Sequence, residues 1–266
     1  MNYLGYPGTM AAEFIDYIIA DKIVLPFDQQ ALCTEKIVHL PDSYQVNDAQ
    51  RKIVAPTPTR QEAGLPPQGF VFCCFNNNYK ITRPVFEVWM RLLAKVEGSV
   101  LWLLRDNPGA ETNLRREAGA RGIDPARLVF AAHANSQDHL ARHRLADLFL
   151  DTLPYNAHTT ASDALWAGLP VVTCRGNAFA GRVAASLLDA AGLPELVTSS
   201  LEQYEALALR LAADASLLGG FRQRLTDGPS RLFDSDRFRR HIEAAYLTMW
   251  ERWQRGEKPQ AFSVSP

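Results

Sequence analysis

The stretch Leu148–Thr173, LFLDTLPYNAHTTASDALWAGLPVVT, decides the fold of this chain. Its first apolar residues predict a short buried strand, which ends at Asp151 and is followed by a loop rich in polar residues. From Ala161 the apolar residues recur with helical spacing until Gly168, a residue type that commonly ends helices. Val171 begins a second apolar run. The stretch therefore predicts strand, loop, helix and strand, a unit of a parallel sheet.

The predicted loop and helix start bring several polar groups to one point. A loop that opens a helix at the C-terminal end of a parallel strand directs unpaired N–H groups and the positive end of the helix dipole there. Thr159 and Thr160 add hydroxyl donors, and His158 adds an imidazole. Asp163, expected in the first helical turn, adds a carboxylate that can accept from sugar hydroxyls. These groups favour a nucleotide-phosphate site, although a threonine that merely caps the helix is an alternative interpretation.

Strands and helices alternate beyond residue 69. The other predicted strands are Phe70–Phe75, Val100–Leu104, Leu128–Ala131 and Leu196–Val197. The other predicted helices are Pro84–Val96, Ala110–Arg121, Gln137–Arg142, Gly181–Ala191, Leu201–Ala213 and Asp236–Arg255. This alternation predicts an α/β fold in which helices cover both faces of a parallel sheet.

Two further loops are expected to meet the first one, because ligands bind at the C-terminal ends of the strands in such a sheet. The loop after the first of these strands contains Asn77 and Lys80, and the lysine is a natural counter-charge for phosphate. The loop after the third contains Ala134 and Ser136, with His139 one turn into the next helix. The alternatives are a surface lysine and a histidine that faces solvent.

Composition excludes several classes of protein. Among 266 residues, 47% are hydrophobic and 21% are charged, and the net charge of -1 leaves no electrostatic footprint for nucleic acid or an anionic membrane. The four cysteines lack zinc-ligand spacing, and no apolar run approaches the ~18 residues of a membrane span. We therefore expect a cytoplasmic protein without nucleic-acid or membrane partners.

Motifs along nearly the whole chain carry a family resemblance. They are GYPGT at Gly5–Thr9, FNNNYKI at Phe75–Ile81, LWLLR at Leu101–Arg105, DHLARHRLADLFLDT at Asp138–Thr152, HTTASDALWAGLPVVT at His158–Thr173 and RVAASLL at Arg182–Leu188. In this order they resemble the catalytic region of the O-linked N-acetylglucosaminyltransferases. The resemblance implies two Rossmann-like domains in the GT-B arrangement and UDP-GlcNAc as donor. It also implies serine or threonine hydroxyls of proteins as acceptors, inversion at the anomeric carbon, and no required metal or other cofactor.

The resemblance assigns roles to individual residues. Lys80 and the Thr159–Thr160 helix start are expected to hold the diphosphate, and Lys80 and His158 to act in catalysis. Asp163 is expected at the ribose, and His158 at the sugar with the Leu4–Pro7 loop. Asn77 stands where the family usually has glutamine, and Ser136 where it often has lysine. The full set expected to bind the donor is Gly5, Pro7, Asn77, Lys80, Ala134, Ser136, His139, His158, Thr159, Thr160 and Asp163.

The resemblance also implies a domain organisation. In the family, tetratricopeptide repeats and most of the first Rossmann-like domain precede GYPGT. Residues 1–66 are therefore expected to be the C-terminal remnant of a first Rossmann-like domain with its linker. Residues 67–233 are expected to form the complete nucleotide-sugar-binding domain, and residues 234–266 a helix that packs back toward the first domain, with a tail. We expect the segment before residue 69 to be poorly anchored, and the chain alone to transfer little sugar.

Three interpretations of function remain open. The first is a glycosyltransferase region, and His158 with Asp163 favours UDP-GlcNAc over the GDP-fucose of the related O-fucosyltransferase branch, which usually has a threonine run here. The others are a noncatalytic UDP-binding module and a sugar-nucleotide epimerase on the same scaffold. Asp234-Ser235-Asp236 spells the acid-x-acid triplet of metal-dependent glycosyltransferases, but its position before the last helix favours an ordinary acidic helix start.

Overall fold

Two parallel sheets make up the framework of the chain. The computed structural model describes residues 1–227 and 230–266, so residues 228 and 229 of the expected second domain lie outside the described residues. The strands are β1 (Tyr17–Ala20), β2 (Lys36–His39), β3 (Val71–Cys74), β4 (Val100–Leu104), β5 (Leu128–Ala131), β6 (Leu148–Leu150), β7 (Val171–Cys174), β8 (Val197–Thr198) and β9 (Phe262–Ser263). They form a six-stranded sheet in the order β5-β4-β3-β6-β7-β8 and a three-stranded sheet in the order β1-β2-β9.

Eight α-helices of the described residues connect and cover these strands. They are α1 (Arg83–Lys95), α2 (Pro108–Gly119), α3 (Ser136–Arg142), α4 (Thr159–Trp166), α5 (Val183–Ala190), α6 (Leu201–Ala213), α7 (Ala215–Thr226) and α8 (Ser235–Gln254). Every strand of the large sheet runs parallel to its neighbours, which confirms the predicted α/β fold. Among the described residues, no helix combines the length and the apolar character needed to cross a bilayer.

The ends of strands and helices that were predicted from strong apolar patterns agree with the structure, whereas other predicted ends do not. The predicted bounds of β4, β5 and α6 coincide with the observed ones. Helix α4 begins at Thr159 and not at Ala161, so Asp163 lies in its second turn and the expected first-turn position was wrong. Residues 22–25 form a turn, because the buried Asp21 carboxylate accepts the N–H groups of Ile23 and Val24. Helix α7 and strand β9 were not predicted.

The segment before residue 69 is firmly packed, so the expectation of poor anchoring was wrong. Ile18, Ile37 and Tyr44 are buried in the same hydrophobic core as the large sheet. Asp21 Oδ2 accepts a 2.6 Å hydrogen bond from the Ser186 hydroxyl on α5. A buried carboxylate with hydrogen bonds from both sides ties the two parts of the chain together.

Helix α8 packs on the three-stranded sheet. Its Ala245 belongs to a small core with Tyr17, Ile19 and Val38, and β9 joins the same sheet beside β2. Asp234 caps the helix, because its carboxylate accepts the N–H of Arg237 at 2.8 Å. The acid-x-acid triplet is therefore an ordinary acidic helix start, as its position before the last helix predicted. The domain boundaries at residues 66 and 233 stay predictions.

Candidate functional site

The ring of Tyr155 brings Lys80 and His158 together. Lys80 Nζ lies 4.1 Å from the centroid of this ring, and the His158 imidazole stacks on it with 4.8 Å between centroids. Lys80 Nζ also donates a 2.9 Å hydrogen bond to the carbonyl of Asn156. Lys80 follows β3 and His158 follows β6, which are adjacent strands, so the two loops meet at one edge of the sheet.

The Ala180 carbonyl orients His158 from the other side. It accepts a 2.9 Å hydrogen bond from the Asn156 N–H and lies 3.2 Å from His158 Nε2. With Nε2–H as the donor to this carbonyl, Nδ1 of a neutral imidazole is left as an acceptor. Burial lowers the pKa of His158 to about 4. His158 is therefore neutral near pH 7 and acts there as a hydrogen-bond partner and not as a source of protons.

A deeply buried carboxylate lies close enough to influence the charge of Lys80. Burial lowers the pKa of Lys80 from its ordinary value, and Asp151 acts against this shift. Asp151, just after β6, accepts hydrogen bonds from the N–H groups of Thr152 and Ala157 at 2.7 and 2.6 Å and from the Thr173 hydroxyl at 2.6 Å. It therefore holds the loop that carries Tyr155.

The start of α4 presents N–H groups beside this cluster. The first α-helical hydrogen bond runs from Ser162 N–H to the His158 carbonyl, so the three preceding N–H groups have no partner within the helix. No side chain caps this end, so the alternative in which a threonine caps the helix was wrong. Thr159 is exposed, whereas the Thr160 hydroxyl donates to the Asn76 side chain. The Thr160 N–H is therefore available to a ligand, whereas its hydroxyl proton is already used in the hydrogen bond to Asn76.

A second cluster surrounds Asp163. Its Oδ1 pairs with Arg51 Nη1, and its Oδ2 lies 3.8 Å from His139 Nε2. Arg142 donates to His139 Nδ1, which places the imidazole proton on Nε2, toward Asp163. Burial, with Arg142 nearby, lowers the pKa of His139 to about 4, so this histidine is also neutral near pH 7.

The N-terminal loop closes the site. A cavity of about 410 Å³ separates the loop from the start of α4, and Gly5, Pro7, His158 and Thr159 line it. The Asn2 side chain holds the loop in place by donating a 2.8 Å hydrogen bond to the Gly8 carbonyl.

Other expected donor-binding residues lie outside this cavity. Asn77 is exposed just before the turn that carries Lys80, and Ala134 and Ser136 are exposed around the start of α3. Their expected contacts with nucleotide stay predictions. Among residues 1–227 and 230–266, no cluster of histidine, cysteine and acidic side chains has the arrangement of a metal site.

Sequence reasoning missed the roles of Tyr155, Arg51 and Arg142. Tyr155 sits in the loop whose start and end were recognised, so an aromatic residue beside HTT was the available signal. Arg142 lies three residues after His139, a spacing that places both on one helix face. Arg51 is 112 residues from its partner Asp163, and no local pattern announces such a contact.

Gly181 should be intolerant of any side chain, which offers a test of how the site loops pack. A Cβ atom there would lie 2.6 Å from the Pro154 carbonyl oxygen. We expect Gly181→Ala to lower the free energy of unfolding by about 1–3 kcal/mol, measured by urea denaturation. The matched control is Gly220→Ala in α7, where a Cβ meets no atom within 4 Å. This control should raise the free energy of unfolding by about 0.5–1 kcal/mol, and equal effects at the two positions would contradict the packing argument.

Comparison with known proteins gives the family. The family model described as Glycosyl transferase family 41 matches residues 1–56 and 49–242. The chain belongs to glycosyl transferase family 41. Its α/β fold with parallel sheets is thus of the GT-B type, as the motifs predicted.

Two related proteins and one solved structure support this assignment. A probable UDP-N-acetylglucosamine–peptide N-acetylglucosaminyltransferase of Arabidopsis thaliana is 38% identical over 99% of the chain, and the corresponding enzyme of Caenorhabditis elegans is 39% identical over 74%. The chain spans only 28% and 17% of those two proteins. A mutant of the O-GlcNAc transferase of Thermobaculum terrenum is 32% identical, with a TM-score of 0.83 over 93% of this chain and 47% of that one.

Proposed function

We propose that this family 41 chain forms the UDP-GlcNAc-binding region of a transferase that places GlcNAc on serine or threonine hydroxyls of proteins. The observation that carries the proposal is the meeting of the Lys80 ammonium, the neutral His158 imidazole and the unpaired N–H groups of α4 at one edge of the large sheet. Cations and helix N-termini bind phosphate groups, and the diphosphate is the charged part of this donor.

In the proposed reaction, the site stabilises the departing UDP. Negative charge grows on the diphosphate as the bond to the anomeric carbon breaks, and a positioned ammonium lowers the energy of that state. Lys80 supplies the ammonium and the first turn of α4 supplies N–H donors. His158 accepts a hydrogen bond at Nδ1 on the sugar side without changing its charge, because its pKa is about 4.

The donor also needs a place for its ribose and sugar. Asp163, held between Arg51 and His139, offers carboxylate oxygens to ribose hydroxyls. The cavity lined by Gly5 and Pro7 is large enough for a sugar ring. The reaction inverts the anomeric carbon in this proposal, with the acceptor hydroxyl approaching from the side of the N-terminal loop.

The setting of the reaction is also proposed. The cysteines, Cys33, Cys73, Cys74 and Cys174, are all free, which agrees with the reducing cytoplasm. The positive charge at the site comes from Lys80 and the helix dipole, so we propose that donor binding needs no divalent ion and no other cofactor. Association with tetratricopeptide repeats and an acceptor protein as partner are proposed from the family, with no nucleic-acid or membrane partner.

Titration calorimetry with UDP tests the proposal. We expect the chain to bind UDP at submillimolar to millimolar concentration, and to bind it equally after a chelator has removed divalent ions. Circular dichroism on the same sample shows that the protein is folded. A folded chain that binds no UDP at millimolar concentration would refute the proposed function, and a large loss of affinity with chelator would refute metal independence alone.

Turnover separates the proposal from the noncatalytic alternative. UDP-GlcNAc and a serine-rich peptide are incubated with the chain, and glycosylated peptide is measured by mass spectrometry. Transfer above the background of a Lys80→Met variant supports an enzyme. Transfer needs an acceptor hydroxyl positioned at the anomeric carbon, so a longer family 41 protein that contains this chain is assayed as well. If both proteins bind UDP and neither transfers GlcNAc, the result supports a noncatalytic binding module.

A further inference from the structure

Arg51 reaches from the segment that precedes the large sheet into the candidate donor site. Its guanidinium Nη1 contacts Asp163 Oδ1, and the guanidinium carbon lies 5.8 Å from the centre of the Trp166 ring. The Trp166 indole N–H donates a 3.2 Å hydrogen bond to the Arg51 carbonyl. Arg51 is thus held at both its backbone and its side chain by residues of α4.

These contacts leave some of the hydrogen-bond donors of the guanidinium group without a partner. Its Nε and Nη2 atoms are buried and have no hydrogen-bond partner among the described residues. Arg51 also lines the cavity of about 410 Å³ with His158 and Thr159. Unpaired buried N–H groups are costly, so these two donors beside the cavity are available to a polar group of a bound ligand.

We propose that Arg51 is a positioning residue of the donor site, which holds the Asp163 carboxylate ionised and oriented toward the ribose hydroxyls of the bound nucleotide. This inference rests on the proposed function. It adds Arg51 to the Gly5 and Pro7 loop as a second contribution of the segment before residue 69 to donor recognition.

Electrostatics supports this role for the arginine. Burial raises the pKa of Asp163 from its ordinary value, and the hydrogen bond and charge of Arg51 act in the opposite direction. Among the described residues, the other basic side chain within 4.0 Å of this carboxylate is His139, which is too far for a hydrogen bond at 3.8 Å and is neutral near pH 7. An ionised carboxylate has about four acceptor positions, so Asp163 can keep the Arg51 contact and still accept from ribose hydroxyls.

The test compares two nucleotides that differ only at the ribose. UDP and 2′,3′-dideoxy-UDP are titrated into the unmodified chain, Arg51→Met, Arg51→Lys and Asp163→Asn. Arg144→Met is the matched control, because Arg144 contacts Thr57 at 3.5 Å and forms no ion pair within 4.0 Å among the described residues. Urea denaturation of each variant shows that it is folded.

We expect Arg51→Met to weaken UDP binding about tenfold and binding of the dideoxy nucleotide by less than about twofold. Arg51→Lys should recover part of the loss, because it keeps the charge but not the planar fork. Adding Arg51→Met to Asp163→Asn should have no further effect on UDP affinity. Arg144→Met should bind both nucleotides as the unmodified chain does.

Three results would overturn the inference. Equal losses for the two nucleotides would show that Arg51 acts on something other than the ribose. Unchanged UDP affinity in Arg51→Met would show that the ion pair is only structural. Tighter UDP binding in that variant would show that Arg51 blocks Asp163 in the unliganded chain. In each case the unmodified chain still binds UDP, whereas failure of the proposed function appears as no binding by the unmodified chain.

Discussion

Replacing Lys80 with methionine should weaken UDP binding about ten- to hundredfold. Methionine keeps much of the lysine stem and can still pack on the Tyr155 ring, but it cannot donate to phosphate. A hydrogen bond to a charged group contributes about 1.5 to 3 kcal/mol, which corresponds to this change in affinity. Titration calorimetry of the two proteins with UDP measures the effect.

The specificity of this effect can be checked with UMP, which has one phosphate less than UDP. The loss on Lys80→Met should be smaller for UMP, because the lysine is proposed to hold the diphosphate. Lys258→Met, which changes an exposed lysine near the C-terminus, is the control and should leave both affinities unchanged. Equal UDP affinity in Lys80→Met and the unmodified chain would remove Lys80 from the donor site.

The Asp151 carboxylate should make the stability of the chain depend strongly on pH. It is completely buried, and burial raises the pKa of Asp151 to about 7. Its value in the unfolded chain is about 3.9. Between these two values the folded protein binds a proton that the unfolded chain has released, so stability falls as pH rises through this window. Above about pH 7 both states have released the proton, and the contribution is constant.

Asp151→Asn isolates this contribution. Asparagine cannot titrate, its oxygen can accept from the Thr152 and Ala157 N–H groups, and its amide can donate to the Thr173 hydroxyl. Urea denaturation at pH 5, 6, 7 and 8 gives the free energy of unfolding of both proteins. The advantage of the unmodified chain over Asp151→Asn should fall by up to about 1.4 kcal/mol per pH unit between pH 5 and 7, and then level off.

A control separates Asp151 from general effects of charge. Asp124→Asn changes an exposed carboxylate at a surface turn and is the matched control for the removal of one carboxylate. If the difference between the unmodified chain and Asp151→Asn is independent of pH, then Asp151 keeps one charge state over the whole range. Its burial would then be offset by the hydrogen bonds alone.

Local sequence patterns predicted strands and helices well where an unbroken apolar run or a capping residue marks the element. Strand β4 is five apolar residues in a row, and α6 begins directly after Ser200, whose hydroxyl accepts the N–H of Gln203. Helix α7 was missed because Gly219 and Gly220 lie in its interior, where glycine is unfavourable. The helix forms because Leu218 and Phe221 bury their side chains in the core. Tertiary packing thus overrides the weak propensity.

The residues of the candidate site also fall into those that local sequence patterns predicted and those that depend on tertiary packing. Lys80, His158 and the start of α4 were predicted together because parallel strands end at one edge of a sheet. The contacts of Arg51 and Tyr155 were not predicted, because they depend on how loops distant in sequence pack on each other. The charge states of His158 and Asp151 were not predictable either, since burial sets both pKa values.

The sequence by itself determined the α/β class, the order of the strands and helices along the chain, and the motifs of family 41, because apolar periodicity and strand-end residues are local properties. Only the tertiary structure decided that the segment before residue 69 is anchored through Asp21 and Ser186, and that Arg51 faces Asp163. It also decided which ionisable groups are neutral near pH 7. These features depend on burial and on contacts across more than 100 residues, such as the 112 between Arg51 and Asp163, which no local pattern encodes.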